Sequence, residues 1–400
     1  MTTVAIKNAF VLTASDGKAT PASIEEGTVV MTGGKIAAVG KDVPIPQGAR
    51  VIDARGMVVT PGFIDAHCHI GVAEDGAGWA GSDGNEATDP VTAEVRALDG
   101  INPMDIAFRD AIAGGITCVQ VDPGSANIIG GETLVMKTWG SPVVEDLVIK
   151  RPSGLKAALG ENPKRNYGAQ RKSPATRMGN AAVLRKALWA AKDYMRKKDA
   201  AKDPDKGPEV NMRHESLGRV LRKEIPLRVH VHRADDIMTA LRIAGEFDID
   251  ISLEHFTEGD KVLDRVAPLG VPVTMGPSLT SKSKLEVKDI GFAAPVAVMK
   301  AGMKMAIITD HPVLPIQYLR ICAGLAVREG MDDDKALLAI TRYAAEIAGV
   351  GDRVGSIEVG KDADVVVWSN CPFEYDSKAV HVFIDGKEIE ARPAKGGDLL

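Results

Sequence analysis

A chain of 400 residues, 45% of them hydrophobic, is long enough for one large globular domain plus a smaller module. Its formal net charge of -5 offers no basic excess for nucleic acid or an anionic membrane surface. No run approaches the roughly 18 apolar residues of a membrane span, and the amino end carries no charged-then-apolar signal pattern.

Residues 1 to about 60 read as short strands separated by turn signals: 4–6, 10–13, 23–25, 27–31 and, after the Gly33-Gly34 turn, 35–40. Residues 355–400 resume the pattern with strands 364–368 and 379–384 and an Asp385-Gly386 hairpin turn. Neither end has enough strands for a sheet of its own. The expected solution is one small β-sandwich domain built from 1–60 plus 355–400, around a central domain at 61–354.

The central domain alternates strand and helix. A helix at 103–113 stops at Gly114-Gly115 and strand 117–121 follows. Strand 227–232 precedes helix 235–247, whose Ile237, Ala240, Leu241 and Ala244 form one apolar stripe. Strand 249–255, a helix carrying Val262, Leu263, Val266 and Leu269, and strands 270–275 and 304–309 continue the series. Apolar strands alternating with helices predict a parallel sheet covered by helices. The span from His67 to Asp310 approaches the ~250 residues of an eight-stranded barrel. The expected fold is therefore α/β, a distorted (β/α)8 TIM-like barrel. An open doubly wound sheet is the alternative, without a glycine-rich phosphate fingerprint to support it.

Residues 161–224 interrupt this rhythm. The stretch 161–180 is polar and basic, 181–198 is helical, 200–208 is a solvated linker, and 214–223 is another short helix. An insertion of this length at a strand end is expected to act as a lid or substrate loop. Four widely spaced cysteines without a C-x-x-C pair suit a reducing compartment, and a cytoplasmic enzyme is expected.

The stretch 58–71, VVTPGFIDAHCHIG, ends an apolar run in His67 and His69. Residues two apart on a strand share a face, so both imidazoles project together while Cys68 points away. His230 and His232 repeat the H-x-H pattern, His255 ends strand 249–255, and Asp310 ends strand 304–309. In a β/α barrel these ends converge on one rim. Five histidines and an aspartate there are hard to explain as packing, and they form a ligand set for a divalent metal.

PGFIDAHCHIG, RVHVHRADDI, EHF, the Thr-Asp of TDHP and the tail VGSIEVGKDADVVV together resemble the amidohydrolase superfamily, in its imidazolonepropionase-like and prolidase-like branch. The resemblance covers nearly the whole chain except 161–224. It implies that His67, His69 and Asp310 hold one divalent metal, usually zinc, and that His230 and His255 complete that site or hold a second ion. His232 is then a substrate-facing or supporting group, and His311 lies outside the direct ligands.

The ligand from the fourth strand has two candidates. Lys156 resembles the carboxylated lysine that bridges two metals in prolidase-like relatives. Glu161 stands at the strand end, where other members use a glutamate, and is slightly preferred.

The expected chemistry follows from these ligands. A divalent cation lowers the pKa of its water towards ~7. Asp310 serves as general base, and His232 or the metal polarises the substrate carbonyl. The reading is hydrolysis of an amide or other C–N bond in a cyclic amide, N-acyl amino acid or dipeptide. Lactone, ester or C–X hydrolysis on the same site is the alternative, and a non-catalytic relative the lesser one. Asn127, Lys137, Arg165, Tyr167 and Arg177 are candidate anchors for a substrate carboxylate. A small-molecule substrate is expected, with neither nucleic acid nor membrane as partner; a homo-oligomer is compatible.

Overall fold

The computed structural model describes residues 2–201, 203 and 207–392. Parts of the expected linker 200–208 and the last residues of the expected small domain, 393–400, lie outside the described residues.

Both chain ends enter one eight-stranded sheet. The amino end supplies β1 (Thr3–Leu12), β2 (Ser23–Thr32), β3 (Lys35–Gly40), β4 (Arg50–Asp53) and β5 (Val58–Pro61). The carboxyl end supplies strands Val365–Trp368, Ala379–Ile384 and Lys387–Ile389. Val365–Trp368 pairs antiparallel with β5, Val365 opposite Pro61 and Trp368 opposite Val58, so the far end of the chain extends the sheet begun by its start. Period-two alternation divides this strand between two cores. Val365 and Val367 join Val4, Ile6, Met31 and Phe383 in the sheet's own core. Val366 and Trp368 face the core of the central barrel. Trp368 stacks on Phe63 with ring centroids 5.0 Å apart. Gly115, at φ +75°, lies under that indole, where an added Cβ would stand 2.5 Å from Trp368 Cζ2.

The barrel strands are β6 (Phe63–Cys68), β7 (Ile116–Val121), β8 (Ile129–Lys137), β9 (Val148–Ala158), β10 (Leu227–Val231), β11 (Ile251–His255), β12 (Val273–Met275) and β13 (Met305–Ile307). With these in place, the three carboxyl-terminal strands are β14 (Val365–Trp368), β15 (Ala379–Ile384) and β16 (Lys387–Ile389). Barrel strands pair in chain order from β6 to β13. Bonds from Asp310 N to His67 O (3.3 Å) and from His69 N to His311 O (2.8 Å) draw the two ends of the sheet together.

One strand departs from the expected all-parallel pattern. β8 is antiparallel to both β7 and β9. The connections on either side explain it. A parallel crossover needs a dozen or more residues, whereas 122–128 and 138–147 are short and hold only the single turn Val144–Leu147. The reversal carries the carboxyl end of β8 to the bottom of the barrel, where Lys137 lies beside Cys118 near the start of β7.

Among the described residues, 161–224 hold the helices Glu161–Ala169, Arg177–Ala200 and Met212–Leu221. Leu184, Leu188, Ala191, Leu217 and Val220 are buried in the barrel core. This segment therefore supplies helical cover between β9 and β10, and among its described residues Asn162 and Arg165 of the first helix line the cleft.

Candidate metal centre

The carboxyl ends of β6, β7, β9, β10, β11 and β13 meet around one cluster. His67 is fully buried. Its Nδ1 stands 2.9 Å from Glu254 Oε2 and 3.2 Å from Asp122 Oδ2. On the other side of the ring, Nε2 stands 3.4 Å from Asp310 Oδ1 and 3.0 Å from Lys156 Nζ. His69 turns Nδ1 to the Asp122 carbonyl at 2.7 Å and Nε2 to the same Asp310 oxygen at 3.2 Å. Cys68 points the other way, its Sγ donating to the Gln120 carbonyl, as strand alternation requires.

Two residues reach the cluster through unusual backbone. His255 has φ 69° and Asp310 φ 54°, both in the left-handed region that non-glycine residues seldom adopt. An ideal strand would send Glu254 and His255 to opposite faces. Here Glu254 bonds His67 while the His255 ring also comes within 4.8 Å of the His67 ring. Strain of this kind persists where surrounding structure holds it and gathers at functional sites. Asp65 supplies part of the hold. Its carboxylate accepts from His67 N, Thr309 N and Thr309 Oγ1, tying β6 to the residue before Asp310. Burial pushes the Asp65 carboxyl up to about 7 despite those bonds.

His230 and His232 complete the group. Their rings lie 4.7 Å apart, and those of His230 and His255 4.3 Å apart. Ligand atoms of His230, His232 and His255, and separately of His67, His255 and Asp310, fall within 4.8 Å of one another. His255 Nδ1 bonds the Gly276 carbonyl at 2.8 Å. Its Nε2 is buried and has no hydrogen-bond partner among the described residues. A buried imidazole nitrogen, left open beside a carboxylate and further imidazoles, fits a divalent transition metal.

The electrostatics suit that fit. Burial holds His255 down to about 3, with His67 and Lys156 adding to the effect against Asp310. Burial, neighbouring imidazoles and Lys284 hold His230 and His232 well below the ordinary histidine value. Neutral imidazoles are the form that binds metal. His67 is different. Burial and the Lys156 ammonium push it down, but the Asp122, Asp310 and Glu254 carboxylates prevail and raise it to about 9. Burial works against the charge on Asp310, but His255, His67 and His69 keep it well below the carboxylate range.

Seven residues named from sequence thus come together: His67, His69, Lys156, His230, His232, His255 and Asp310. Glu161 does not join them. It opens the helix Glu161–Ala169, its N–H donates to Glu286 Oε2, and it lines a side groove with Lys164 and Arg177. Lys156, on the barrel-facing side of β9, occupies the place considered for either residue.

The proposed anchors separate in the same way. Lys137 is at the barrel bottom because β8 is reversed, and its Nζ bonds both Asp364 oxygens at 2.8 Å. Tyr167 Oη donates to Asn127 Oδ1 at 2.5 Å, while Asn127 Nδ2 donates to Glu86 O and Thr92 Oγ1. Both side chains are buried and spend their polar atoms on each other and on loop 86–92. Arg177 is held by Asp236 at 2.9 Å. Arg165 alone of the five lines the cleft, a cavity of about 510 Å³ that includes His69, His230, His232, Asp310 and Lys284.

Five contributors were not singled out from sequence: Asp65, Asp122, Glu254, Lys284 and Glu286. Asp122 and Glu254 each stand at a strand end beside an apolar run, the signal that marked the histidines. Lys284 caps the short 3-10 turn Leu285–Val287 that holds Glu286, and neither gave such a signal.

An amidohydrolase family model matches residues 217–389. The chain is similar to the crystal structure of an amidohydrolase from Thermotoga maritima MSB8, with 45% identity and a TM-score of 0.92, over 97% of this chain and 100% of that one. The chain belongs to the amidohydrolase family. It is also 25% identical to an imidazolonepropionase of Mesorhizobium japonicum over 90% of this chain and 91% of that protein. It is 28% identical to amidohydrolase tasK of Hapsidospora irregularis over 90% of this chain, but spans only 39% of that longer protein. This amidohydrolase is a hydrolase acting on carbon–nitrogen bonds. Among the described residues, no helix is long and apolar enough to cross a membrane.

Proposed function

We propose that this amidohydrolase is a metal-dependent enzyme that cleaves the amide or cyclic-amide bond of a small molecule, in the N-acyl amino acid, dipeptide or lactam class. The observation that carries the reading is Asp310 Oδ1 standing 3.4 Å from His67 Nε2 and 3.2 Å from His69 Nε2, next to the open Nε2 of His255. His67, His69, His230, His255 and Asp310 would hold one or two divalent ions, with Lys156 rather than Glu161 as the strand-four ligand. Zinc suits this nitrogen-rich donor set. Such an ion supplies an acidified water at neutral pH and a Lewis acid for the carbonyl.

The chain's own groups do the rest. Asp310, held ionised, takes a proton from the attacking water and returns it to the leaving nitrogen. His232 is neutral, and its Nδ1 stands 2.8 Å from Thr257 Oγ1. With Thr257 donating to Nδ1, His232 carries its proton on Nε2 and can donate to the carbonyl oxygen as negative charge develops there. Arg165, on the cleft wall, is the anchor for a distal carboxylate.

The test is turnover by metal-loaded protein of N-acyl amino acids, dipeptides, cyclic amides and lactones, with Asp310→Asn as control. Amide cleavage that Asp310→Asn abolishes supports the reading. Turnover of lactones alone would reject it in favour of ester-type hydrolysis.

A further inference from the structure

The segment between β12 and the helix Ala293–Lys300 contributes Lys284 to the cleft wall. Its side chain is 15% exposed. Its Nζ donates to Asn162 Oδ1 at 2.9 Å and stands 2.7 Å from Glu286 Oε1. That second contact is an ion pair without hydrogen-bond alignment, since Oε1 accepts no hydrogen bond among the described residues. Both neighbours are themselves fixed. Asn162 Nδ2 donates to Ser125 Oγ at 2.8 Å, and Glu286, almost wholly buried, accepts Glu161 N through its other oxygen. An ammonium has three donors; Asn162 takes one and the unaligned Glu286 contact takes none, so donors remain for the cleft.

The cations on this wall are not all held in ion pairs among the described residues. Glu286 faces Lys284 but is shared with Arg177, 3.8 Å away. Asp236 is taken up by Arg177. Arg165 lines both the cleft and the side groove, and no ion pair to it is present among the described residues. A fixed, partly buried ammonium and a nearby guanidinium therefore face a cavity whose other wall is the candidate metal centre. Neither cation has a part in the bond-breaking steps.

We infer that Lys284 is the group that selects substrates carrying a carboxylate. Asn162 and Glu286 act as positioning residues that hold the ammonium, and Arg165 is the outer cation. A carboxylate would accept hydrogen bonds from Lys284 and Arg165 as an ion pair, which a neutral analogue cannot form. The role in turnover rests on the hydrolase reading of this cleft; the binding preference does not.

The experiment uses zinc-loaded full-length protein and a panel of N-acetyl glycine, leucine, phenylalanine and proline, each as free acid and as primary carboxamide. Binding is measured by calorimetry and, where turnover occurs, kcat/KM is compared within each pair. Wild type should favour the acid by about 10–100-fold in at least one pair, the range of a hydrogen bond to a charged group. Lys284→Met should collapse that ratio and Lys284→Arg should retain most of it, with zinc stoichiometry unchanged in both. If Lys284→Met does not fold, Asn162→Ala should lower the ratio by freeing the ammonium. An unchanged ratio in the variant, or no acid preference in any pair, overturns the inference. Acid-selective binding that Lys284→Met removes, with no amide turnover, would sink the proposed amide substrates while supporting Lys284. Amide turnover without acid preference would do the reverse.

Discussion

Lys156 Nζ lies 3.0 Å from His67 Nε2, on strands that are not neighbours in the barrel sheet and with both groups buried. Among the described residues, Asp122 Oδ2 is the one carboxylate in ion-pair range of the lysine, at 3.4 Å. A buried ammonium is costly unless paired, and here it is crowded against an imidazole that also attracts a proton. A divalent ion held by the imidazole, with a deprotonated or carboxylated lysine, relieves that crowding. Lys156→Ala should therefore lower metal affinity by more than the ~10–100-fold typical of losing a supporting partner, and abolish activity. Glu161→Ala should leave both near wild type. Metal analysis after dialysis and a rate measurement check the pair; loss of metal in Glu161→Ala alone would reverse the assignment.

The proton on His67 gives the metal-free protein a pH dependence. Its folded-state value is raised to about 9, above the ordinary ~6.5 of an unfolded chain. It contributes stability that is fully present below the unfolded value and is lost as pH rises through about 9. Metal must displace that proton, so affinity should rise about tenfold per pH unit from neutrality towards about pH 9. His230, His232 and His255 add no such slope there, because they are already neutral. Chelator competition across that pH range measures it. A flat profile would mean that His67 is already neutral in the metal-free molecule.

Lys137 joins the barrel to the small sheet. Its Nζ meets Asp364 at 2.8 Å, Asp362 at 3.1 Å and Asp385 at 3.2 Å, and Lys137, Asp362 and Asp364 are all buried. Removing one partner of a buried ion cluster leaves charge without compensation, typically about 3–5 kcal/mol. Lys137→Met should lower stability on that scale while kcat and KM, measured well below the unfolding transition, stay unchanged. A selective rise in KM for carboxylate substrates would make Lys137 a substrate anchor instead.

The parts of the centre that sequence makes legible are those with a period. His67 and His69 two apart, His230 and His232 two apart, and an acidic residue closing the last strand all follow from strand geometry and the common rim. The joining of the chain ends was legible from strand supply alone. Three things were not. The reversal of β8 was hidden because its apolar run reads the same in either direction, and only the short connections at 122–128 and 138–147 betray it. The left-handed backbone at His255 and Asp310 is carried by residues that do not advertise it as glycine would. Tyr167 and Asn127 looked like free polar groups, because their partner in each case was remote in sequence.

The helix Glu161–Ala169 carries two residues that the sequence offers for the same task. Arg165 lines the cleft, whereas Tyr167, two positions on, is buried against Asn127. Burial, with the Asp89 and Glu86 charges, raises its phenol to about 12, so it stays a hydrogen-bond donor at every working pH. Tyr167→Phe should strand Asn127 Oδ1 and cost about 1–3 kcal/mol of stability, with KM for acid and amide substrates moving together or not at all. Arg165→Met should do the opposite: a higher KM for the acid of each matched pair, little change for the amide, and a denaturation midpoint close to wild type. Denaturant titration and matched-pair kinetics on the two variants separate these outcomes. An acid-specific KM effect in Tyr167→Phe would place its hydroxyl on the substrate after all.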